Sequence, residues 1–311
     1  MSPANHTAVT YFIIRGISDL PELQLPIFLL VLHIYIITVG GNTTILLLVC
    51  LDRYLHTPMY FFLSNLSVLD TSSTTITLHK ILVKNTISFP LCMLQLYCFM
   101  SFVGIEILLL TAMSYDRYVA ICYPLRYQII MDGHVYVPLA TICWVLGFVE
   151  TIPCICIYTG FSCFKTNVVN HFFCDLNALM EISCSNTKVL KNVILYESIF
   201  SGFIPFLLTC VSYTYIIKTI LGMHSKDGRR KAFYTCASHL TIVALFYVTL
   251  FFLYLKPRSS SLDSEKLLSL LYTVVVPMLN PLIYSLKNKD VKSALRHRLP
   301  KSKMSMLGHH R

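Results

Sequence analysis

Seven long, continuously apolar runs occupy most of this 311-residue chain and constrain its fold more than any other feature. A helix needs roughly 20 residues to cross a hydrocarbon core about 30 Å thick, and each run is long enough to do so. The runs are uninterrupted, whereas barrel strands alternate between apolar and polar residues, so helices are favoured. The predicted spans are 26–50, 58–80, 92–117, 137–159, 193–218, 233–255 and 267–286.

Composition agrees with a membrane protein. Only 13% of the residues are charged and 55% are hydrophobic, whereas a soluble domain carries about 25% charged residues. We therefore predict an all-α membrane protein, a seven-transmembrane helix bundle over 26–286. An extracellular N-terminal tail (1–25) precedes it, and a short interfacial amphipathic helix with a basic tail (287–311) follows it in the cytoplasm.

The net charge of +10 does not indicate nucleic-acid binding, because the basic residues are distributed according to the side of the membrane. With the N-terminus outside, 16 of the 25 Lys and Arg residues fall on the inner side and 9 on the outer side, as the positive-inside rule requires. The basic tail is then expected to lie against anionic lipid headgroups. No cleavable signal peptide is evident. Asn5, in Asn5-His6-Thr7, is a predicted N-glycosylation site on the outer side.

Four of the twelve cysteines fall in predicted outer segments: Cys92, Cys163, Cys174 and Cys184. The extracellular side is oxidising, so two disulfides are expected there, and spacing leaves all three possible pairings open. We predict no metal centre from the cysteines, because no Cys-x-x-Cys pair has a matching His pair.

Six motifs occur in order along the spans. They are Gly41-Asn42, Leu55-His56-Thr57-Pro58-Met59-Tyr60, Met113-Ser114-Tyr115-Asp116-Arg117-Tyr118, Ser212-Tyr213, Lys231-Ala232-Phe233-Tyr234-Thr235-Cys236 and Asn280-Pro281-Leu282-Ile283-Tyr284. Together they resemble the odorant (olfactory) receptors of the tetrapod-type subgroup, a branch of the rhodopsin-like G-protein-coupled receptor family. The resemblance covers about 41–288. Two positions depart from it: Ser114 stands where the family usually has Ala, and His79 where it often has Pro.

The resemblance implies a receptor, not an enzyme. It implies binding of a small-molecule odorant, mostly apolar and volatile, in the outer half of the bundle. It also implies activation of the stimulatory olfactory heterotrimeric G protein, with a cyclic-AMP response, at the plasma membrane. No cofactor is implied beyond a possible sodium ion. The implied disulfides are Cys92–Cys174 and Cys163–Cys184.

The resemblance also implies a set of switch residues at the inner side. A charged side chain at a membrane boundary is costly unless paired, and the Asp116–Arg117 pair would hold the third span at rest. On activation Arg117 would turn toward a neighbouring span, and two tyrosines of the fifth and seventh spans would approach each other. The switch residues are Asp116, Arg117, Tyr118, Tyr213, Asn280, Pro281 and Tyr284.

Asp70 and Glu106 lie in the middle of the second and third spans, where carboxylates are expensive. In the family fold these spans are neighbours, so the two acids would meet, with Asn280 as a polar partner. Two carboxylates in one site share a proton or recruit a cation, so we expect a sodium or proton site. The alternative is a pair of neutral, hydrogen-bonded acids.

The ligand pocket is expected between the third, fifth, sixth and seventh spans. On the third span, four candidates share one helical face. The candidate lining is Phe99, Met100, Val103, Gly104, Glu197, Ser198, Ser201, Tyr247, Leu250, Phe251, Tyr254, Leu270 and Thr273. Ordinary helix packing is the alternative for each of them. Glu150 either faces Glu197 or reaches the outer headgroups.

Other classes of function are compatible with fewer of these features. A transporter or channel needs a continuous polar path, and the polar residues form only one layer. A membrane enzyme is disfavoured because Cys236, Ser238 and His239 point in different directions from one helix. A receptor of the same fold that senses a metabolite outside olfactory tissue stays open.

Overall fold

Seven helices form a bundle in the computed structural model, as predicted from the apolar runs. The model describes residues 9–17, 20–82, 85–254, 266, 268–287, 291 and 293–295, with side chains except at 21, 79–82, 231, 235, 252–254 and 284–287. The helices are α1 (Pro21–Leu51), α2 (Pro58–Leu82), α3 (Phe89–Cys122), α4 (Gly133–Glu150, then Ile152–Thr159), α5 (Lys188–Glu197, Ser198–Phe203, Ile204–Leu221), α6 (Lys226–Tyr254) and α7 (268–270, Leu271–Val275, Val276–Lys287).

Among the described residues, five helices are long and apolar enough to cross a membrane: α1, α3, α4, α5 and α6. The apolar part of α7, Leu268–Ile283, is shorter. The 25 residues of α2 extend about 37 Å, which is enough for a crossing. Its hydroxyl-bearing side chains and Asp70 make α2 less apolar than α1, α3 and α4.

Helix α3 lies at the centre of the bundle, packed against α2, α4, α5 and α6. Its approach to α4 depends on Gly147, where a Cβ would overlap Ile105 and lie 3.0 Å from the carbonyl oxygen of Ser101. Small residues allow such close approach between membrane helices. Across α2 and α4, the Trp144 indole N–H donates to the Asn65 amide oxygen at 2.9 Å.

Within the described residues, two helices contain a π-helical turn that ends two residues before a proline. Ser198–Phe203 precedes Pro205 in α5, and Leu271–Val275 precedes Pro277 in α7. Proline lacks an N–H and crowds the preceding turn, which widens the hydrogen-bond ladder. Such π turns often lie at functional sites, and these two contain the pocket candidates Ser201 and Thr273.

The outer end carries a small sheet that the sequence did not predict. Its strand order is β2-β1-β3, with β1 Tyr11–Ile14, β2 Thr86–Ser88 and β3 Val168–Val169. β1 pairs antiparallel with β2 and parallel with β3. Part of the predicted N-terminal tail is therefore tied to the bundle.

Beyond α7, Val291 and residues 293–295 are helical, and Val291 and Ala294 are buried. Val291, Ala294 and Leu295 are the apolar residues of the predicted interfacial helix, and Leu295 is exposed. The rest of the tail lies outside the described residues.

Candidate functional site

At the inner end of α3, Asp116 is held between two partners. Arg117 donates from Nε to its carboxylate over 3.0 Å, and the Tyr127 hydroxyl donates to the other carboxylate oxygen at 2.7 Å. Asp116 is fully buried and Arg117 is 8% exposed. Burial, followed by Asp116, raises the pKa of Tyr127 in the inner loop, so its hydroxyl remains a donor. No role was predicted for Tyr127 from the sequence.

Tyr213 of α5 bonds to His239 of α6. The hydroxyl lies 2.6 Å from Nδ1 of the histidine, and the two rings lie nearly parallel. Both side chains are buried. Tyr213 was expected to approach Arg117 or Tyr284 on activation, and the side chain of Tyr284 lies outside the described residues. His239 lies three residues after the motif that ends at Cys236, so its position near the inner end of α6 was the available signal.

Tyr118 lies at the edge of this region, partly buried. Its hydroxyl donates to Tyr123 at 3.4 Å, and its ring centroid is 5.9 Å from that of Tyr215. It therefore contacts the loop after α3 and the inner half of α5.

Midway through the bundle, Asp70, Glu106 and Asn280 form one buried layer. The Asn280 amide donates to both carboxylate oxygens of Asp70, at 3.0 and 3.2 Å. Glu106 lies close enough to Asp70 for electrostatic interaction, and its carboxylate accepts from the Tyr272 hydroxyl at 3.3 Å. We call these four residues the acid layer. Tyr272 is its unpredicted member.

Several buried oxygens around the acid layer lack a hydrogen-bond partner within the described part of the chain. They are Glu106 Oε1, Asn280 Oδ1, Asn42 Oδ1 and Ser67 Oγ. A buried oxygen without a partner is costly, and hard cations take carboxylate, amide and hydroxyl oxygens as ligands. These oxygens therefore suit a proton or a sodium ion. No group of three His, Cys, Asp or Glu residues that could hold a metal occurs in the described ranges.

Six aromatic residues form a continuous band across the bundle above the acid layer. Neighbouring ring centroids lie 4.7 to 6.1 Å apart in the pairs Phe173–Phe99, Phe99–Tyr272, Tyr272–Phe246, Phe246–Tyr247 and Tyr247–Phe206. This aromatic band joins the second outer loop, α3, α7, α6 and α5. It contains the predicted pocket residues Phe99 and Tyr247, and it adds Phe173, Phe206, Phe246 and Tyr272.

Seven of the other pocket candidates lie in three different environments. Val103, Leu250 and Leu270 pack against the central core, and Thr273 is buried on α7. Met100 instead packs with the outer-loop cluster. Ser198 is exposed and Phe251 is 60% exposed, so both leave the proposed lining. The side chain of Tyr254 lies outside the described residues. The predicted glycosylation site, Asn5 of the N-terminal tail, also lies outside them.

Gly104 accommodates Glu150. A Cβ at position 104 would collide with Oε1 of Glu150, so glycine leaves the space that this carboxyl group fills. The Glu150 side chain also reaches the hydroxyl of Ser201 and interacts with Glu197. Of the two positions considered for Glu150, the structure adopts the one facing Glu197. Three predicted pocket residues thus surround an acid from α4.

A separate groove of about 640 Å³ lies between α3, α4 and α5. Its lining includes Ala112, Leu139, Cys143, Leu208 and Val211, and it reaches Tyr118 and Tyr215. Several of these side chains are exposed at the outer surface of the bundle. The groove therefore faces the surrounding lipid and is not the pocket predicted from the sequence.

Two disulfides fix the outer loops, with the pairing that the resemblance implied. Cys92 is joined to Cys174 and Cys163 to Cys184, with Cα–Cα distances of 5.6 and 5.3 Å. The first bridge holds the second outer loop on α3. The adjacent Phe173 is thereby placed against Phe99 in the aromatic band.

Comparison with known proteins identifies the family. The family model "Olfactory receptor" matches residues 31–302. Olfactory receptor 8G3 of Homo sapiens is 48% identical over 303 residues, covering 95% of this chain and 97% of that protein. Olfactory receptor 8A1 of Homo sapiens is 45% identical over 308 residues, with coverages of 96% and 93%. Olfactory receptor 8G17 of Mus musculus is 48% identical over 303 residues, with coverages of 95% and 99%.

A solved structure shows the same fold. Squid rhodopsin matches with a TM-score of 0.73 at 17% identity, covering 91% of this chain and 82% of that one. The seven-helix bundle and the family match agree with each other. The chain therefore belongs to the olfactory receptor family of G-protein-coupled receptors, which are multi-pass plasma-membrane receptors and not enzymes.

Proposed function

We propose that this receptor binds small, mostly apolar volatile molecules in the outer half of its bundle and activates the stimulatory olfactory heterotrimeric G protein, raising cyclic AMP. The observation that carries this proposal is the position of Tyr272 between the aromatic band and the acid layer. Its ring belongs to the aromatic band, and its hydroxyl bonds to Glu106 in the acid layer. A ligand against the band therefore touches the same residue that holds the buried acids.

The chemistry of the lining supports an apolar ligand with one polar group. Phe99, Phe246 and Tyr247 offer aromatic surface, and such surface contributes most of the binding energy of a small apolar molecule. Near the outer part of α5, Ser201, Glu150 and Glu197 supply the polar contacts. A ligand hydroxyl or amine would bond there.

Activation is proposed to be a population shift. A ligand shifts the equilibrium between the resting and active bundles only by the difference in its affinity for the two states. In the resting bundle, Asp116 holds Arg117 and His239 holds Tyr213. Opening of α6 would separate His239 from Tyr213, and Tyr213 would then approach Arg117 or Tyr284. The transducer would contact Arg117, loop 122–134 and the inner ends of α5 and α6.

The orientation is also a proposal, with the N-terminus extracellular and the C-terminus cytoplasmic. Both disulfides lie at the end of the bundle that carries the sheet β2-β1-β3. Disulfides persist in oxidising compartments, which supports an extracellular position for this end. Asn5 would then be available for glycosylation, and the basic tail would meet inner-leaflet lipid.

A cyclic-AMP assay tests the function. Cells expressing the receptor with the stimulatory olfactory G protein are exposed to a broad panel of volatile compounds, and at least one compound should give a saturable response. Cells that display the receptor and respond to none of the panel contradict the proposal. Uptake or current in liposomes without G-protein activation would indicate a transporter or channel instead.

The acid layer is proposed to bind a proton or sodium ion that stabilises the resting bundle. Glu106→Gln removes one charge and keeps an acceptor for Tyr272, so the ion should bind less well. We expect basal cyclic AMP to rise about threefold and its dependence on external sodium to disappear. Replacing sodium with a large organic cation, in cells of matched surface expression, measures both effects.

Glu181→Gln is the matched control, because Glu181 is exposed in the second outer loop. It should keep the wild-type basal activity and sodium response. Retention of full sodium dependence and wild-type basal activity by Glu106→Gln would show that the acid layer is not the sodium site. A wild-type basal activity that does not respond to sodium would exclude sodium and leave a shared proton or neutral hydrogen-bonded acids.

A further inference from the structure

His171 of the second outer loop is buried at the top of the bundle. It is 4% exposed, and its Nδ1 has no hydrogen-bond partner within the described ranges. Its Nε2 lies 3.3 Å from the hydroxyl of Ser269 on α7. The described interactions of its side chain thus connect an outer loop with the seventh helix.

The segment around His171 covers the aromatic band, and we call residues 171–174 the outer cap. The His171 ring stacks on Phe172, with centroids 4.6 Å apart, and meets the edge of Phe173 at the same distance. Phe173 in turn contacts Phe99. The disulfide at Cys174 fixes one end of the cap to α3. On the α7 side, the contact is the one between His171 and Ser269.

We propose that neutral His171 is the positioning residue that fastens the outer cap to α7, so that acidification of the extracellular medium loosens the cap and weakens ligand binding. The statement about ligands rests on the proposed function, whereas the statement about the cap does not. A loosened cap would withdraw Phe173 from Phe99 and open the outer side of the aromatic band.

Charged groups around His171 agree with this inference. Burial lowers the pKa of His171 below its ordinary value of 6.5, Asp175 of the same loop opposes this, and Lys266, two residues before α7, adds to it. Asp175 is occupied in capping the helix Leu176–Ile182 through Asn177 and Ala178. On the N-terminal segment, Arg15 donates its backbone N–H to Val169. A cation formed at position 171 would therefore be buried beside the ammonium group of Lys266.

The sign of the pH dependence follows from the lowered pKa. His171 binds a proton more readily in the released cap than in the fastened cap. The fastened state therefore loses stability as the proton concentration rises. The contribution of neutral His171 to the stability of the fastened cap is complete above about pH 6.5. It declines as the pH falls below that value. Histidine is the side chain suited to such a change near neutral pH.

Hydrogen exchange of purified, ligand-free receptor in lipid nanodiscs tests the cap directly. Amides of residues 168–175 should lose about tenfold in protection between about pH 7.4 and about pH 5.5, after correction for intrinsic exchange. His171→Gln keeps a polar group for Ser269 but cannot titrate, so its protection should not change with pH. Ser269→Ala should be less protected at neutral pH and show a smaller change.

His33→Gln is the matched control, because His33 is an exposed histidine on α1. It should show the full wild-type change. An equal change in His171→Gln and wild type, or a wild-type cap that is insensitive to pH, overturns the inference.

Potency of an active volatile compound gives the second readout. Its half-maximal concentration should rise at least about threefold between the same two pH values in wild type and stay constant in His171→Gln. A ligand response without a pH effect would refute the cap and leave the proposed function intact. A pH-sensitive cap in a receptor that no volatile compound activates would refute only the function.

Discussion

Replacing Arg117 with alanine should abolish the cyclic-AMP response at matched surface expression, with a loss of at least about 100-fold in maximal signal. Arg117 is a charged side chain at the inner end of α3, and in the proposed mechanism it changes partners when the bundle opens. Alanine removes the group proposed to meet the transducer and leaves Asp116 buried with Tyr127 alone. The response is measured over the full concentration range of an active compound.

Arg53→Ala is the matched control for this experiment. Arg53 carries the same charge in the inner loop between α1 and α2, outside the proposed transducer contact, and is exposed, so its loss should change the signal less than about threefold. Breaking a buried ion pair costs about 3–5 kcal/mol, so thermal stability of the purified variants is compared in parallel. A folded, displayed Arg117→Ala receptor with a wild-type response would remove Arg117 from the mechanism.

Loss of the Cys92–Cys174 bridge should have the largest effect on stability and on surface display. The bridge closes a separation of 82 residues, whereas Cys163–Cys184 closes 21. On the loop-entropy account these closures stabilise by about 4.5 and about 3.3 kcal/mol. Cys92→Ser also releases Phe173 from the aromatic band, so ligand response should be lost along with most of the surface signal.

Antibody staining of intact cells and thermal unfolding of purified receptor measure these effects. Cys163→Ser should retain more surface receptor than Cys92→Ser, and Cys156→Ser should match wild type, because Cys156 is an exposed free cysteine. A Cys92→Ser receptor with normal display and normal ligand potency would show that the outer loop is held by its other contacts.

The sequence predicted the features that depend on apolar length and on motif order. It predicted seven helices and, through the family resemblance, the pairing of Asp70 with Asn280 and the two disulfides. Gly41 illustrates why motif order was informative: a Cβ there would lie 3.0 Å from Pro281, so two motifs meet at one contact between α1 and α7.

Contacts that depend on the rotation of each helix were not predictable in this way. A helix in lipid is apolar on both its lipid-facing and its packed sides, so periodicity does not identify the packed side. This is why the bonds of Tyr272 to Glu106 and of Tyr213 to His239 were missed. It is also why Phe251 and Ser198 were assigned to the pocket.

The sheet at the outer end was missed for a different reason. Its strands have two to four residues and come from three distant segments. Strands this short carry little alternation by themselves, and their pairing is set by the bundle and by the disulfides that bring them together.

Nucleotide exchange on the purified stimulatory olfactory G protein, with wild-type receptor in nanodiscs, tests the central claim most directly. Addition of an active volatile compound should accelerate exchange at least about tenfold, and Phe99→Ala should need a much higher concentration for the same rate. Exchange that is equally fast with and without the compound, or a compound that binds and leaves exchange unchanged, would contradict the proposed coupling between the aromatic band and the inner face.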